Sequence, residues 1–269
     1  MKELKMSLDT MKTTLGDRMK QYEAESEKYG CKDMRAPVVI RLDGSSFHTW
    51  VKKAGCVKPF DNRMIDCMKL TALDLCNGIS SCVMGFVQSD EISLVLRNDK
   101  SSDSEPWFGN RMQKLCSTSA SMWGCHFNSH TREIFGEDVP FAYCDSRVIY
   151  LPNRDEVYNC LLWRQRDCIR NSISGQAQAY FSAKELNKKN SDVMLAMLRE
   201  SGQDWEFLPT CKKYGSLIHK KTTVGEYNGT PFTRGTFFID DEFGKLTCEI
   251  FDGAYDFVKE ELKNEPASA

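Results

Sequence analysis

Two apolar runs, "SCVMGFV" and "ISLVL", occupy residues 81–96 with only "QSDE" up to the start of the second. Short runs of this kind, joined by so few polar residues, predict an antiparallel hairpin. That fixes one pair of neighbouring strands and puts Asp90 and Glu91 at its turn. Strand interiors disfavour Asp, and burying a bare charge is costly. Two adjacent acids here need a reason.

The hairpin sits inside a longer order. "RAPVVIRLDG", residues 35–44, reads as a strand: Pro37 opens it, Val38, Val39 and Ile40 are apolar and β-branched, and Asp43-Gly44 ends it. "KPFDNRMIDCMKLTALDLCNG" predicts a helix with Asp61 as N-cap, Met64, Met68, Ala72 and Leu75 at helical spacing, and Gly78 past its end. Residues 7–28 predict an exposed, charged helix, 101–107 a loop and 108–127 a helix. Residues 145–152 predict a strand closed by Pro152, and a long helix starts near Asp155. Strand, helix, strand, strand, helix, strand is the ferredoxin-like order. The fold class is therefore α+β: a ferredoxin-like antiparallel sheet with helices on one face, then a C-terminal α/β extension. The division expected is 1–190 and 191–269. In the second part Asn228-Gly229 signals another hairpin turn.

Composition sets limits. No run of about 18 apolar residues exists, so no membrane span is predicted. The 12 cysteines include no C-x-x-C pair, which argues against zinc. Reduced, mostly buried thiols in a cytoplasmic setting are the simpler reading. A net charge of −2 argues against binding nucleic acid through overall charge. Any basic stripe is local, with Lys184, Lys188, Lys189, Lys212, Lys213, Lys220 and Lys221 as candidates.

In the ferredoxin-like order the first strand is central and lies beside a hairpin strand. Asp43 and Asp90 then project from one sheet edge. Two carboxylates brought together repel unless a cation sits between them, and hard oxygen donors select Mg²⁺ or Mn²⁺. Gly44 lets its backbone approach a ligand, and "SSFH" after it offers amides to a phosphate. Each motif alone reads as an ordinary turn; their joint placement favours a site. Arg111 and Lys114 share a helix face with Ser117 and Ser121, a pattern suited to a triphosphate or to plain solvent exposure. Arg164, Asp167, Arg170 and Asn171 form a row on the long helix. The four histidines show no hydrolase triad pattern.

"RLDGSSFHTW", "KPFD", "QSDEISLVL", "FGNRMQKLCSTSAS", "DSRVIYLP" and "WRQRDC", in this order, resemble the tRNA-His guanylyltransferase family and its Thg1-like relatives, the 3′-to-5′ nucleic acid polymerases. The resemblance implies a polymerase-like palm and two Mg²⁺ ions held by Asp43, the Gly44 carbonyl and Asp90. It implies nucleotide binding by Asp43, Gly44, Ser45, Ser46, Phe47, His48, Ser89 and Asp90, with Lys58, Arg111 and Lys114 on triphosphates. Glu91 matches an acidic position needed in the family, and Asp145 and Arg147 match a mainly structural motif. The implied substrates are GTP, ATP and the 5′ end of a tRNA, and the implied assembly is a homotetramer. Where the eukaryotic enzymes carry His-Ile-Asn-Asn, this chain has Ile169, Arg170, Asn171 and Ser172, which points to the Thg1-like branch and template-directed 5′-end repair. The competing readings are a cyclase-like enzyme acting on free nucleotides and a non-catalytic tRNA-binding module. Consecutive strand side chains point to opposite faces. Asp90 is thus the expected metal ligand, and Glu91 is expected to face another partner.

Overall fold

The computed structural model describes residues 14–29, 35–99 and 104–261. Among them six strands form one sheet: β1 Val38–Gly44, β2 Cys82–Gln88, β3 Glu91–Leu96, β4 Cys144–Tyr150, β5 Ser216–Tyr227 and β6 Thr230–Asp240. Their order is β4-β1-β3-β2-β5-β6, and every neighbouring pair is antiparallel. The first four strands have the ferredoxin-like order.

The helices are α1 Leu15–Tyr29, α2 Phe47–Lys53, α3 Asn62–Gly78, α4 Met112–Phe135, α5 Arg154–Tyr180, α6 Ala183–Leu186, α7 Ser191–Glu200, α8 Thr210–Tyr214 and α9 Cys248–Tyr255. No described helix is long and apolar enough to cross a membrane. Residues 7–13 of the expected first helix and 101–103 of the expected loop lie outside the described residues.

The crossover helices α3 and α4 share one face, as the order requires. Val38, Ile40 and Leu42 of β1 pack there with Met68, Leu75, Trp123 and Phe127. The expectation of helices on one face only is corrected, because the other face is covered too. Val39, Val95 and Ile149 meet Met19 of α1, Leu161 of α5 and Phe251 of α9. The physical reason is in the strands themselves. β3 is buried at all six positions, so it has no solvated side.

Local signals explain most boundaries. Asp61 caps α3 by accepting from the Arg63 amide at 2.9 Å, and it also takes the Val57 amide at 2.9 Å. Asn153 caps α5, so that helix starts one residue before Asp155. The helix expected over 108–127 is split. A 3-10 turn at Trp107–Asn110 carries left-handed Phe108 and Gly109, and α4 then continues to Phe135. The short α2 was not expected.

The segment beyond residue 190 contributes strands to the same sheet. β5 pairs with β2 over Ser216–Ile218, after which β5 and β6 run on as a two-stranded ribbon. Asn228 and Gly229, with φ of 50° and 76°, close it between Tyr227 and Thr230. That is the left-handed backbone an Asn-Gly turn supplies.

Candidate active site

β1 is central, and its last residues meet three other segments. Asp43 lies opposite Glu91 of β3 and opposite Asp145 of β4. The Gly44 amide donates to the Asp90 carbonyl at 3.1 Å, and the Ser45 amide donates to the Tyr143 carbonyl at 2.8 Å. The two-residue turn Ser89-Asp90, with Ser89 at φ 47°, is thereby pinned to the end of β1. Asp43, Asp90, Glu91 and Asp145 all gather at one sheet edge.

These acids are not equivalent. Burial, then repulsion by Asp90, Glu91 and Asp145, pushes the Asp43 carboxyl up to about 6, with Arg41 opposing. Burial raises Asp90 as well, offset by hydrogen bonds from its own amide and from Ser89. Neither Asp43 nor Asp90 forms an ion pair among the described residues. Glu91 does: Arg164 donates to its two carboxylate oxygens at 2.7 and 2.6 Å, and Gln88 adds a bond at 3.1 Å. Asp145 faces Arg147 at 3.5 Å.

The uncompensated pair, Asp43 and Asp90, has the donor chemistry that a hard divalent cation requires. The described residues hold no cage of three or more His, Cys, Asp or Glu side chains for a metal. Two carboxylates and the Gly44 carbonyl are the available protein donors, a set that suits an ion sharing its shell with phosphates. Gly44 itself is tightly cradled. A Cβ there would stand 2.4 Å from Phe47 Cδ2.

The other predicted residues divide by location. Ser45, Ser46 and His48 are exposed beside the carboxylate edge. Phe47 is buried, its ring stacked on Trp50 at 4.9 Å, so its side chain belongs to the core. The Ser45 amide is already engaged, and within the first turn of α2 the Thr49 amide donates to the Ser46 carbonyl at 2.9 Å, which leaves the Phe47 and His48 amides as the helix-start donors. Lys58 is exposed, just before the cis Pro59.

Arg111 and Lys114 are not brought to Asp43. Next to them, the Asn110 carbonyl accepts from Tyr150 Oη at 2.7 Å, and Asn98 donates to the Asn110 side chain at 3.0 Å. Tyr150 aligns with Val38 at the opposite end of β1. Five residues of strand, roughly 17 Å, separate that end from Asp43. Their exposed face climbs α4 to Ser121, which lines a groove of about 850 Å³ beside Tyr143 and Cys144.

Arg164 was visible in the sequence as one of a charged row. Its buried pairing with Glu91 was not, since no spacing rule links residues so far apart in the chain. On the outer side of that row, Asp167 also holds Arg164 at 2.9 Å and Asn171 at 3.3 Å.

A family model described as tRNAHis guanylyltransferase (Thg1) matches residues 16–152. A probable tRNA(His) guanylyltransferase of Dictyostelium discoideum is 34% identical over 228 residues, 80% of this chain and 87% of that protein. The probable tRNA(His) guanylyltransferase of Bos taurus is 33% identical over 139 residues, 51% of this chain. That match spans about half, 45%, of the bovine protein's length. A bacterial tRNA(His) guanylyltransferase (Thg1)-like protein, solved in complex with ATP, superposes with a TM-score of 0.74 at 36% identity, covering 91% of this chain and 99% of that one. The chain belongs to the Thg1 family of tRNAHis guanylyltransferases.

Proposed function

We propose that the chain is a tRNA 5′-end nucleotidyltransferase that joins GTP or another nucleoside triphosphate to the 5′ end of a tRNA in the 3′-to-5′ direction. The observation that carries this reading is the uncompensated Asp43/Asp90 pair at the edge of a palm sheet, in a chain of this family. ATP, bound by the bacterial relative, would activate a 5′-monophosphate. That step would join AMP to the 5′-phosphate and expel pyrophosphate. The nucleotide 3′-hydroxyl would then attack the capped 5′-phosphate and expel AMP, and hydrolysis would finally remove pyrophosphate from the added nucleotide's own triphosphate. Each step is in-line phosphoryl transfer.

Asp43, Asp90 and the Gly44 carbonyl would hold Mg²⁺, which supplies positive charge to the transferring phosphate and lowers the pKa of an attacking oxygen. The protein's own contribution is position. The Gly44–Asp90 and Ser45–Tyr143 backbone bonds hold the edge together. The Glu91–Arg164 pair locks the strand that leaves the turn. Ser45, Ser46 and His48 stand exposed beside the carboxylates to meet a nucleotide. Arg111 and Lys114 lie at the far end of the same sheet and so would serve a second triphosphate or the RNA backbone, not the one held at Asp43.

The loss of His from the motif at 169–172 favours templated repair of truncated 5′ ends over non-templated addition to tRNA-His. The test is extension of a 5′-truncated, 5′-triphosphorylated tRNA with Mg²⁺ and GTP, opposite each of the four possible templating bases. Extension expected from the wild type and not from Asp90→Ala supports the reading. Equal extension by both overturns it.

A further inference from the structure

A cleft of about 310 Å³ lies past the carboxylate edge, at the C-terminal end of α5. Its walls are aromatic: Phe60, Tyr180 and Phe207. Phe207 is 85% exposed and Tyr180 47%, so both offer ring faces that the fold does not use. Phe60 packs on α5 at Gly175, where an added Cβ would lie 3.9 Å from its ring. Lys212 stands 5.9 Å from the centre of that ring and has no carboxylate partner among the described residues.

The floor of the cleft holds Gln176, 4% exposed. Its Nε2 donates to the Gln203 carbonyl at a long 3.4 Å, and its Oε1 is buried with no partner. A buried amide oxygen without a donor is costly, and native structures seldom keep one without a reason. The terminal amide torsion of Gln is broad, and the 3.4 Å bond is easily given up, so the oxygen can turn into the cleft.

We propose that this cleft is a nucleobase pocket in which Gln176 accepts from a base amino group while Phe207 and Tyr180 stack on the ring. Aromatic faces beside a buried amide, with Gln203, Asp204 and Lys212 on the same lining, match a planar, hydrogen-bonding ligand. The pocket adjoins a cavity that leads toward the proposed reaction edge. That cavity shares Phe60 and Lys212 with it and runs past Asn171 and Ser172 to Ser89, next to Asp90. Twelve residues of α5, roughly 18 Å, separate Gln176 from Arg164, so an extended nucleotide or an unpaired RNA end reaches between them. The proposal rests on the nucleotidyltransferase reading for its choice of ligand, not for its geometry.

The test is calorimetric binding in an Asp43→Ala/Asp90→Ala background, which removes the carboxylate site and leaves the cleft. The ligands are ATP against purine riboside triphosphate, GTP against ITP, and a 5′-phosphorylated RNA hairpin with an unpaired 3′ tail. Each pair of nucleotides differs by one amino group. Loss of that group is expected to weaken binding about tenfold with Gln176 present and not in Gln176→Leu. Phe207→Ala, a truncation at an exposed site, is expected to weaken binding roughly five- to hundredfold. A response to the nucleotides assigns the pocket to a free triphosphate, and a response to the hairpin alone assigns it to an RNA base. Indifference of every ligand to both Gln176→Leu and Phe207→Ala overturns the proposal, whatever the activity of the carboxylate site.

Discussion

Replacing Glu91 by Ala should destabilise the fold by about 3 kcal/mol. Glu91 and Arg164 side chains are each 9% exposed, and the guanidinium meets both carboxylate oxygens within hydrogen-bond distance. Breaking a buried pair from one side costs about 3–5 kcal/mol, because the remaining charge is stranded. Here Arg164 keeps Asp167 at 2.9 Å, which places the cost at the lower end of that range. Gln88, which donates to Glu91 at 3.1 Å, loses its acceptor as well. For a chain of this size the loss lowers Tm by roughly 6–12 °C. Thermal and urea unfolding read it directly. Arg164→Met and the double variant complete a cycle, in which the double variant should be more stable than the sum of the singles predicts. A Tm drop under about 2 °C for Glu91→Ala, with activity lost, would refute the structural role and return Glu91 to the chemistry.

Asp43→Asn and Asp90→Asn should abolish nucleotide addition while leaving Tm equal or higher, since each removes a buried, repelled charge; a large fall in Tm measured by calorimetry would contradict this. Gly44→Ala should cost about 1–3 kcal/mol, because the Phe47 ring that its Cβ would strike is wedged against Trp50 and Phe127; unchanged urea unfolding would count against that packing. Asp61 is held down to about 2 by its hydrogen bonds with Arg63. Its folded-state value is depressed, so the stability it adds is present above the usual carboxylate value of 3.8 and is lost as pH falls through about 2. At neutral pH this amounts to about 2 kcal/mol. The gap in urea stability between wild type and Asp61→Asn should therefore shrink between about pH 6 and pH 2.5, and a gap independent of pH would rule the linkage out.

The local grammar of the chain was readable where one residue governs one feature. Asp61 capped its helix, Asn228-Gly229 turned its hairpin, and the two apolar runs paired around Ser89-Asp90. What the pattern concealed was cover and direction. "ISLVL" does not alternate, and that continuous run was itself the sign that both sheet faces would be packed. Arg111 and Lys114 showed a shared helix face, but a face says nothing about which end of the sheet it borders. The topology held the answer: a helix that follows β3 must begin at the end of the sheet away from the β2–β3 turn. Gln176 and Phe207 gave no signal at all, since a buried amide without a partner exists only once α5 and the 203–212 segment have come together.

The two neighbouring acids show how one residue of register separates roles. Ser89 takes a left-handed backbone, so Asp90 belongs to the turn and its carbonyl holds the Gly44 amide. Glu91 is the first residue of β3, paired with Asp43, and strand alternation sends it with Ser93 and Val95 toward α5. There Arg164 neutralises it. Had Glu91 stayed unpaired, Asp43 would face two uncompensated carboxylates, Asp90 and Glu91, and would be protonated more readily still. The ion pair therefore does two things with one guanidinium: it binds the hairpin to α5, and it leaves Asp43 and Asp90 as the acids whose charge the protein does not satisfy. The same helix continues to Gln176, so the strut that fixes the carboxylate edge also fixes its distance from the aromatic cleft.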